Sequence, residues 1–119
     1  MGLTSVKMTI RKFKGSDQFV AEEFLVDSGA VYSVAPTAAL ARLGVEADQE
    51  QSFTLANGER MSRKVGDAYF QLGDKGGYSK VVFGEEGDMN LLGALPLEAC
   101  GLVLDPLKRE LKPMPMLLA

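Results

Sequence analysis

Val6, Met8 and Ile10 alternate with Ser5, Lys7, Thr9 and Arg11, a two-residue period that predicts a half-buried β-strand over Thr4 to Phe13. Lys14-Gly15-Ser16-Asp17 reads as a turn, and Phe19 to Val26 as a second strand antiparallel to the first. Val31 to Ala35 is short and β-like. Pro36 then opens a helix over Thr37 to Leu43, with Leu40 and Leu43 turned inward and Gly44 placed to end it. Glu46 to Gln51 is polar throughout and predicts a loop, and Ser52 to Ala56 alternates as a strand. Asn57-Gly58 is the strongest local signal, the preferred pair for a type I′ hairpin because both residues tolerate positive φ.

Glu59 to Lys64 leads back from that hairpin and Val65 to Leu72 continues extended, with Gly66 marking a bulge or bend. Gly73 to Gly77 reads as a turn, Tyr78 to Phe83 as a strand with an apolar end, and Gly84 to Asp88 as a loop. Met89-Asn90-Leu91-Leu92-Gly93 is an apolar run stopped by glycine. Leu95 to Ala99 reads as a helix of one or two turns ended by Gly101. Leu102 to Asp105 is a strand stopped by Pro106, and Leu107 to Leu111 a last short strand. Pro113 and Pro115 argue against a central strand in the tail. Many short strands, two brief helices and glycine-rich turns predict an all-β barrel or sandwich. No composition shift or linker divides the chain, so a single domain over residues 1–119 is expected.

One stretch stands apart. In Phe24-Leu25-Val26-Asp27-Ser28-Gly29-Ala30 an apolar strand runs into a carboxylate, a hydroxyl and a glycine. An ionised Asp27 at the buried end of a strand is costly unless hydrogen-bonded or paired. On these residues alone, a strand ending in an ordinary Asp-Ser-Gly turn is a sufficient account.

Composition narrows the chemistry. The chain of 119 residues carries a formal net charge of −3 and no basic block, which argues against a nucleic-acid partner. No apolar run approaches the ~18 residues of a membrane span. There is no signal-peptide pattern, and Val6 breaks a myristoylation motif after Met1-Gly2. A cytoplasmic protein without a membrane partner is the expectation. The chain has no histidine, which excludes Ser-His and Cys-His nucleophile pairs. With a single cysteine, Cys100, and no histidine, neither an internal disulfide nor a metal site is expected, and Cys100 reads as a core filler. Carboxylates, lysines and tyrosines remain for acid–base work.

Asp27-Ser28-Gly29-Ala30 after an apolar strand, Asn57-Gly58 in a hairpin, and Leu91-Leu92-Gly93 with Leu97-Glu98 downstream together resemble a retropepsin-like aspartic protease, nearer to single-domain prokaryotic relatives than to viral enzymes. The resemblance covers about the whole chain. It implies a closed retropepsin-like β-barrel with one or two short helices, an aspartic endopeptidase activity and no cofactor. It also implies a homodimer in which each chain gives one catalytic aspartate, Asp27, and whose substrate is a peptide or protein. On the same basis Ser28 would hydrogen-bond across the dimer axis, Gly29 would meet the substrate backbone, and Leu92 and Gly93 would pack beside the Asp27 loop. Asn57 and Gly58 would tip a flap over the substrate, with Ala30, Tyr32, Leu55 and Leu92 as candidate pocket walls. The chain departs from the viral pattern at Val31 and Ala94, where an acidic residue and an arginine often stand, so any dimer is held differently. Two alternatives stay open: a non-catalytic peptide-binding module on the same fold, and an unrelated small β domain.

Overall fold

The computed structural model describes residues 4–27, 29–55, 57–105 and 107–115, so Ser28, Pro106 and the apolar end of the tail lie outside the described residues. The chain is mostly β. Its strands are β1 (Thr4–Arg11), β2 (Val20–Val26), β3 (Ser33–Pro36), β4 (Ala47–Thr54), β5 (Arg60–Leu72), β6 (Lys75–Gly84), β7 (Leu91–Leu92), β8 (Leu102–Asp105) and β9 (Glu110–Pro113). Two helices, α1 (Thr37–Leu43) and α2 (Ala94–Ala99), complete the described elements. No helix among the described residues is long and apolar enough to cross a membrane.

The alternation in β1 does what its period requires. Met8 and Ile10 are fully buried while Ser5 and Lys7 face out, and β1 pairs antiparallel with β2 from Thr4↔Val26 to Ile10↔Val20. The main sheet runs β1-β2-β7-β3-β6-β5-β4, and β1 also pairs with β5 through Ile10↔Phe70. The strands from β1 to β5 therefore form a ring, and β4 hangs outside it on β5. Phe24, Val26, Phe70, Val81 and Leu92 fill the inside with Met8 and Ile10. Helix α1 covers one side with buried Leu40 and Leu43. It ends at Gly44 with φ 81°, the left-handed conformation that glycine adopts without a Cβ penalty. Its start is tied down by the Thr37 hydroxyl, which donates to the Gly84 carbonyl at 2.8 Å. Cys100 is buried, as a core filler should be, and burial pushes its thiol pKa up.

Several expectations give way. The polar stretch read as a loop belongs to β4, which pairs with β5 from Ala47↔Gly66 to Thr54↔Arg60. Most of β4 is exposed, so backbone pairing rather than a buried face holds it, and hydrophobic periodicity could not reveal it. A register shift between Ala47 and Gln49 sets a bulge opposite Gly66, where an added Cβ would lie 2.5 Å from the Glu46 carbonyl oxygen. The turn after β5 is confined to Gly73 and Asp74, because Leu72 already pairs with Lys75. Gly76 and Gly77 lie within β6, where an added Cβ would collide with the Tyr69 hydroxyl at Gly76 and with the Ala99 carbonyl at Gly77. The last strand starts at Glu110 instead of Leu107. The Asp105 carboxylate accepts from the Leu107 and Lys108 N–H groups and holds that segment in a turn. Pro113 pairs with Leu102 in the separate β8–β9 sheet, outside the main one.

The hairpin is also one residue longer than predicted. A two-residue turn at Asn57-Gly58 would pair Leu55 with Arg60. Instead Thr54 faces Arg60, the Leu55 N–H donates to the Glu59 carbonyl at 2.7 Å, and the Leu55 carbonyl accepts from the Gly58 N–H at 2.9 Å. Leu55 and Glu59 thus close the loop, with Gly58 at φ 88°. Three-residue hairpins commonly end in such a left-handed glycine. The Asn57 side chain steadies the turn by accepting from the Glu59 N–H and donating to the Glu59 carboxylate, each at 2.9 Å. The shift decides which side chains share a face. Met61 and Arg63, rather than Ser62 and Lys64, stand opposite Phe53 and Gln51.

Candidate active site

Asp27 sits where β2 leaves the sheet. Its N–H donates to the Leu92 carbonyl at 3.0 Å, one step beyond the parallel pairing of Leu25↔Leu91 and Val26↔Leu92. Its carbonyl accepts from the Ala30 N–H at 3.0 Å, and its carboxylate Oδ1 accepts from the Gly29 N–H at 2.9 Å. Asp27 is half-buried as a residue. Strand and loop thus present one acidic group in a fixed orientation, held by an amide donor.

The loop after Asp27 is fastened from behind by Leu92-Gly93 and α2. The Ala94 N–H donates to the Ala30 carbonyl at 2.8 Å and the Leu95 N–H to the Val31 carbonyl at 3.0 Å. These bonds satisfy helix-terminal amides that have no partner within the helix. Gly93 makes the approach possible: a Cβ there would lie 2.5 Å from the Tyr32 carbonyl oxygen, 2.8 Å from that of Val31 and 2.9 Å from that of Ala30. The Gly93 N–H itself donates to the Ser33 hydroxyl at 3.0 Å, in a fully buried position. Leu92 and Gly93 therefore pack beside the Asp27 loop. Ser33 was not foreseen, since a serine between Tyr32 and Val34 carries no local signal of a partner sixty residues away.

Beside this loop runs an apolar groove of about 650 Å³. Ala30, Tyr32 and Leu55 line it, joined by Phe53, Met61 and Leu91. Tyr32 and Phe53 meet edge to face with ring centroids 6.1 Å apart, spanning the groove from floor to hairpin. Leu92 does not line it: it is fully buried in the core, and its half-buried neighbour Leu91 takes the wall. Alternation along β7 explains the exchange, since successive residues face opposite sides. Asn57 and Gly58 are exposed at the hairpin tip, and Gly29 is exposed beside Asp27.

An ion pair also lines the groove. Arg63 donates from Nε to Asp88 Oδ2 at 2.8 Å and from Nη2 to Oδ1 at 3.1 Å, and its Nη1 lies 3.4 Å from Glu85. The Arg63 guanidinium, helped by the Glu85 N–H, holds the Asp88 carboxyl below its ordinary range against the opposing effect of burial.

These features define a class. A model of the aspartyl protease family matches residues 7–94, and the chain belongs to that family. Within it, the chain is of the retropepsin-like type. Among curated proteins none matches the chain.

Proposed function

We propose that this chain is an aspartic endopeptidase, active as a homodimer in which Asp27 of each copy faces the other across a twofold axis. The ring of strands is then the closed barrel of a single catalytic domain over residues 1–119. The observation that carries the reading is Asp27 itself: a half-buried aspartate at a strand end, held by the Leu92 carbonyl and the Gly29 N–H, beside an apolar groove beneath a hairpin. A chain of this family with one Asp-Ser-Gly supplies one carboxyl, so a pair needs a second copy. An isologous dimer is the commonest way to bring one together.

Two carboxyls held close do not both ionise, because like charges in a partly dry site repel. They share one proton, as the paired carboxyls of aspartic proteases do. The ionised Asp27 takes a proton from a water positioned between the two. The protonated Asp27 hydrogen-bonds the scissile carbonyl. Hydroxide adds to the carbonyl carbon, and the leaving nitrogen receives the proton as the C–N bond breaks. This chemistry requires neither metal nor organic cofactor. Ser28 ties the two loops across the axis, and Gly29 and Ala30 meet the substrate backbone. The peptide lies extended in the groove as an added strand, with side chains against Tyr32, Leu55 and Leu91. The hairpin carrying Asn57 and Gly58 closes over it and excludes water.

The test is Asp27→Asn in the full chain, assayed against a library of unstructured peptides at acid and neutral pH. The wild type should cleave fastest under acid conditions. The variant should fold and dimerise but not cleave. Equal cleavage by both proteins refutes the catalytic role. A wild type that light scattering finds monomeric, and that binds peptides without cutting them, supports a binding module in its place.

A further inference from the structure

The hairpin of β4 and β5 overhangs the rest of the sheet. The β5–β6 ladder ends at Val65↔Val82, and β4 pairs only with β5. Residues 60–64 of β5 and their partners in β4 therefore have no further strand beside them among the described residues. Among the described residues, the hydrogen bonds and ion pairs that tie this overhang to the body of the protein all come from Arg63. Its planar fork engages both oxygens of Asp88, and its Nη1 also donates to the Ser62 carbonyl at 3.0 Å. Asp88 is itself fastened, since its Oδ2 accepts from the Glu85 N–H at 2.8 Å and its own N–H donates to the Glu85 carbonyl at 2.9 Å. The Arg63 and Asp88 side chains are 15% and 23% exposed, whereas Glu85 at 63% is too solvated to contribute much. Asp88 stands just before Leu91-Leu92, the strand whose carbonyl fixes Asp27. The Tyr32–Phe53 contact, which also joins the hairpin to the body, is apolar and tolerates sliding; a bidentate pair does not.

We propose that the Arg63–Asp88 pair is a strap that sets the height of the hairpin above the groove, making Arg63 and Asp88 positioning residues for peptide binding. The assignment rests on the peptidase reading above. The pair lines the groove without leaving a free charge in it, which suits apolar substrate side chains. Its work lies in holding the groove wall, so it acts on substrate affinity and leaves proton transfer at Asp27 alone.

The experiment uses Asp88→Asn, Arg63→Lys and the exchanged pair Arg63→Asp with Asp88→Arg, all in the full chain. Hydrogen exchange of backbone amides in residues 49–64 is read without substrate, and KM and kcat are read on a peptide that the wild type cleaves. The single variants should speed hairpin exchange about tenfold and raise KM about tenfold with kcat within about threefold, and the exchanged pair should recover part of both. Amides of β1 and β2 report whether the fold persists; if they too accelerate in Asp88→Asn, Arg63→Lys carries the test, since a lysine cannot reproduce the bidentate fork. Unchanged hairpin exchange overturns the strap. Faster exchange with an unchanged KM overturns the positioning role. If the wild type cleaves no peptide, the peptidase reading fails, while the exchange data still decide whether the strap holds the hairpin.

Discussion

Replacing Gly93 by alanine tests how the Asp27 loop is held. Gly93 has φ −87° and ψ −173°, a backbone conformation open to any residue, so the substitution carries no conformational penalty. The whole cost comes from contact. The new Cβ would meet the carbonyl oxygens of Tyr32, Val31 and Ala30 at 2.5, 2.8 and 2.9 Å, all backbone atoms that cannot rotate aside. Overpacking of this kind costs about 1–3 kcal/mol. To relieve it, the 30–32 segment must move away from α2, which stretches the bonds from Ala94 and Leu95 to the Ala30 and Val31 carbonyls. Each such bond is worth about 0.5–1.5 kcal/mol. The sum is a loss between about 2 and about 6 kcal/mol, enough to lower the melting temperature by roughly 8 °C or more in a chain of this size. Thermal unfolding followed by far-ultraviolet circular dichroism, at one fixed protein concentration, measures it. Cleavage should fall as well, because the same movement displaces Asp27. A Gly93→Ala protein that melts within roughly 2 °C of wild type and cleaves peptides at the same rate would refute the reasoning.

Ser33→Ala removes the acceptor of the Gly93 N–H in a fully buried position and should cost about 1–3 kcal/mol, read from urea unfolding midpoints; Ser33→Thr, which keeps the hydroxyl, should lose less. Acid should loosen the hairpin. Asp88 has its pKa depressed from the ordinary 3.8, so its contribution is fully present above that value and is lost as pH falls through the lower folded value. Asp105, whose carboxylate accepts from the Lys108 and Leu107 N–H groups and lies near Lys112, behaves the same way. Asp88→Asn should therefore flatten the acid limb of a stability–pH curve relative to wild type, and an unchanged limb would contradict the assignment.

Much of the architecture is written locally. The period-two alternation of β1 needs only that its apolar face find a core, and it buries Met8 and Ile10 wherever β2 is supplied. Pro36 and Gly44 bound α1 through backbone constraints that act within a few residues. Asp27 was legible as unusual because a carboxylate directly after three apolar strand residues demands a partner, and the protein supplies one in the Gly29 N–H.

What the sequence by itself determined was therefore the all-β class, the helix α1 and the place of the acidic group. Tertiary structure alone decided the rest. Polar β4 is a strand only because β5 offers it a ladder, and the hairpin register, not the Asn57-Gly58 pair, chose Met61 and Arg63 for the groove face. Leu91 rather than Leu92 became its wall because β7 lies between β2 and β3 and must turn one leucine each way. Ser33 meets Gly93, and Arg63 meets Asp88, across separations that no local propensity spans. Such pairs depend on how the ring of strands closes, and closure is set by all the strands together.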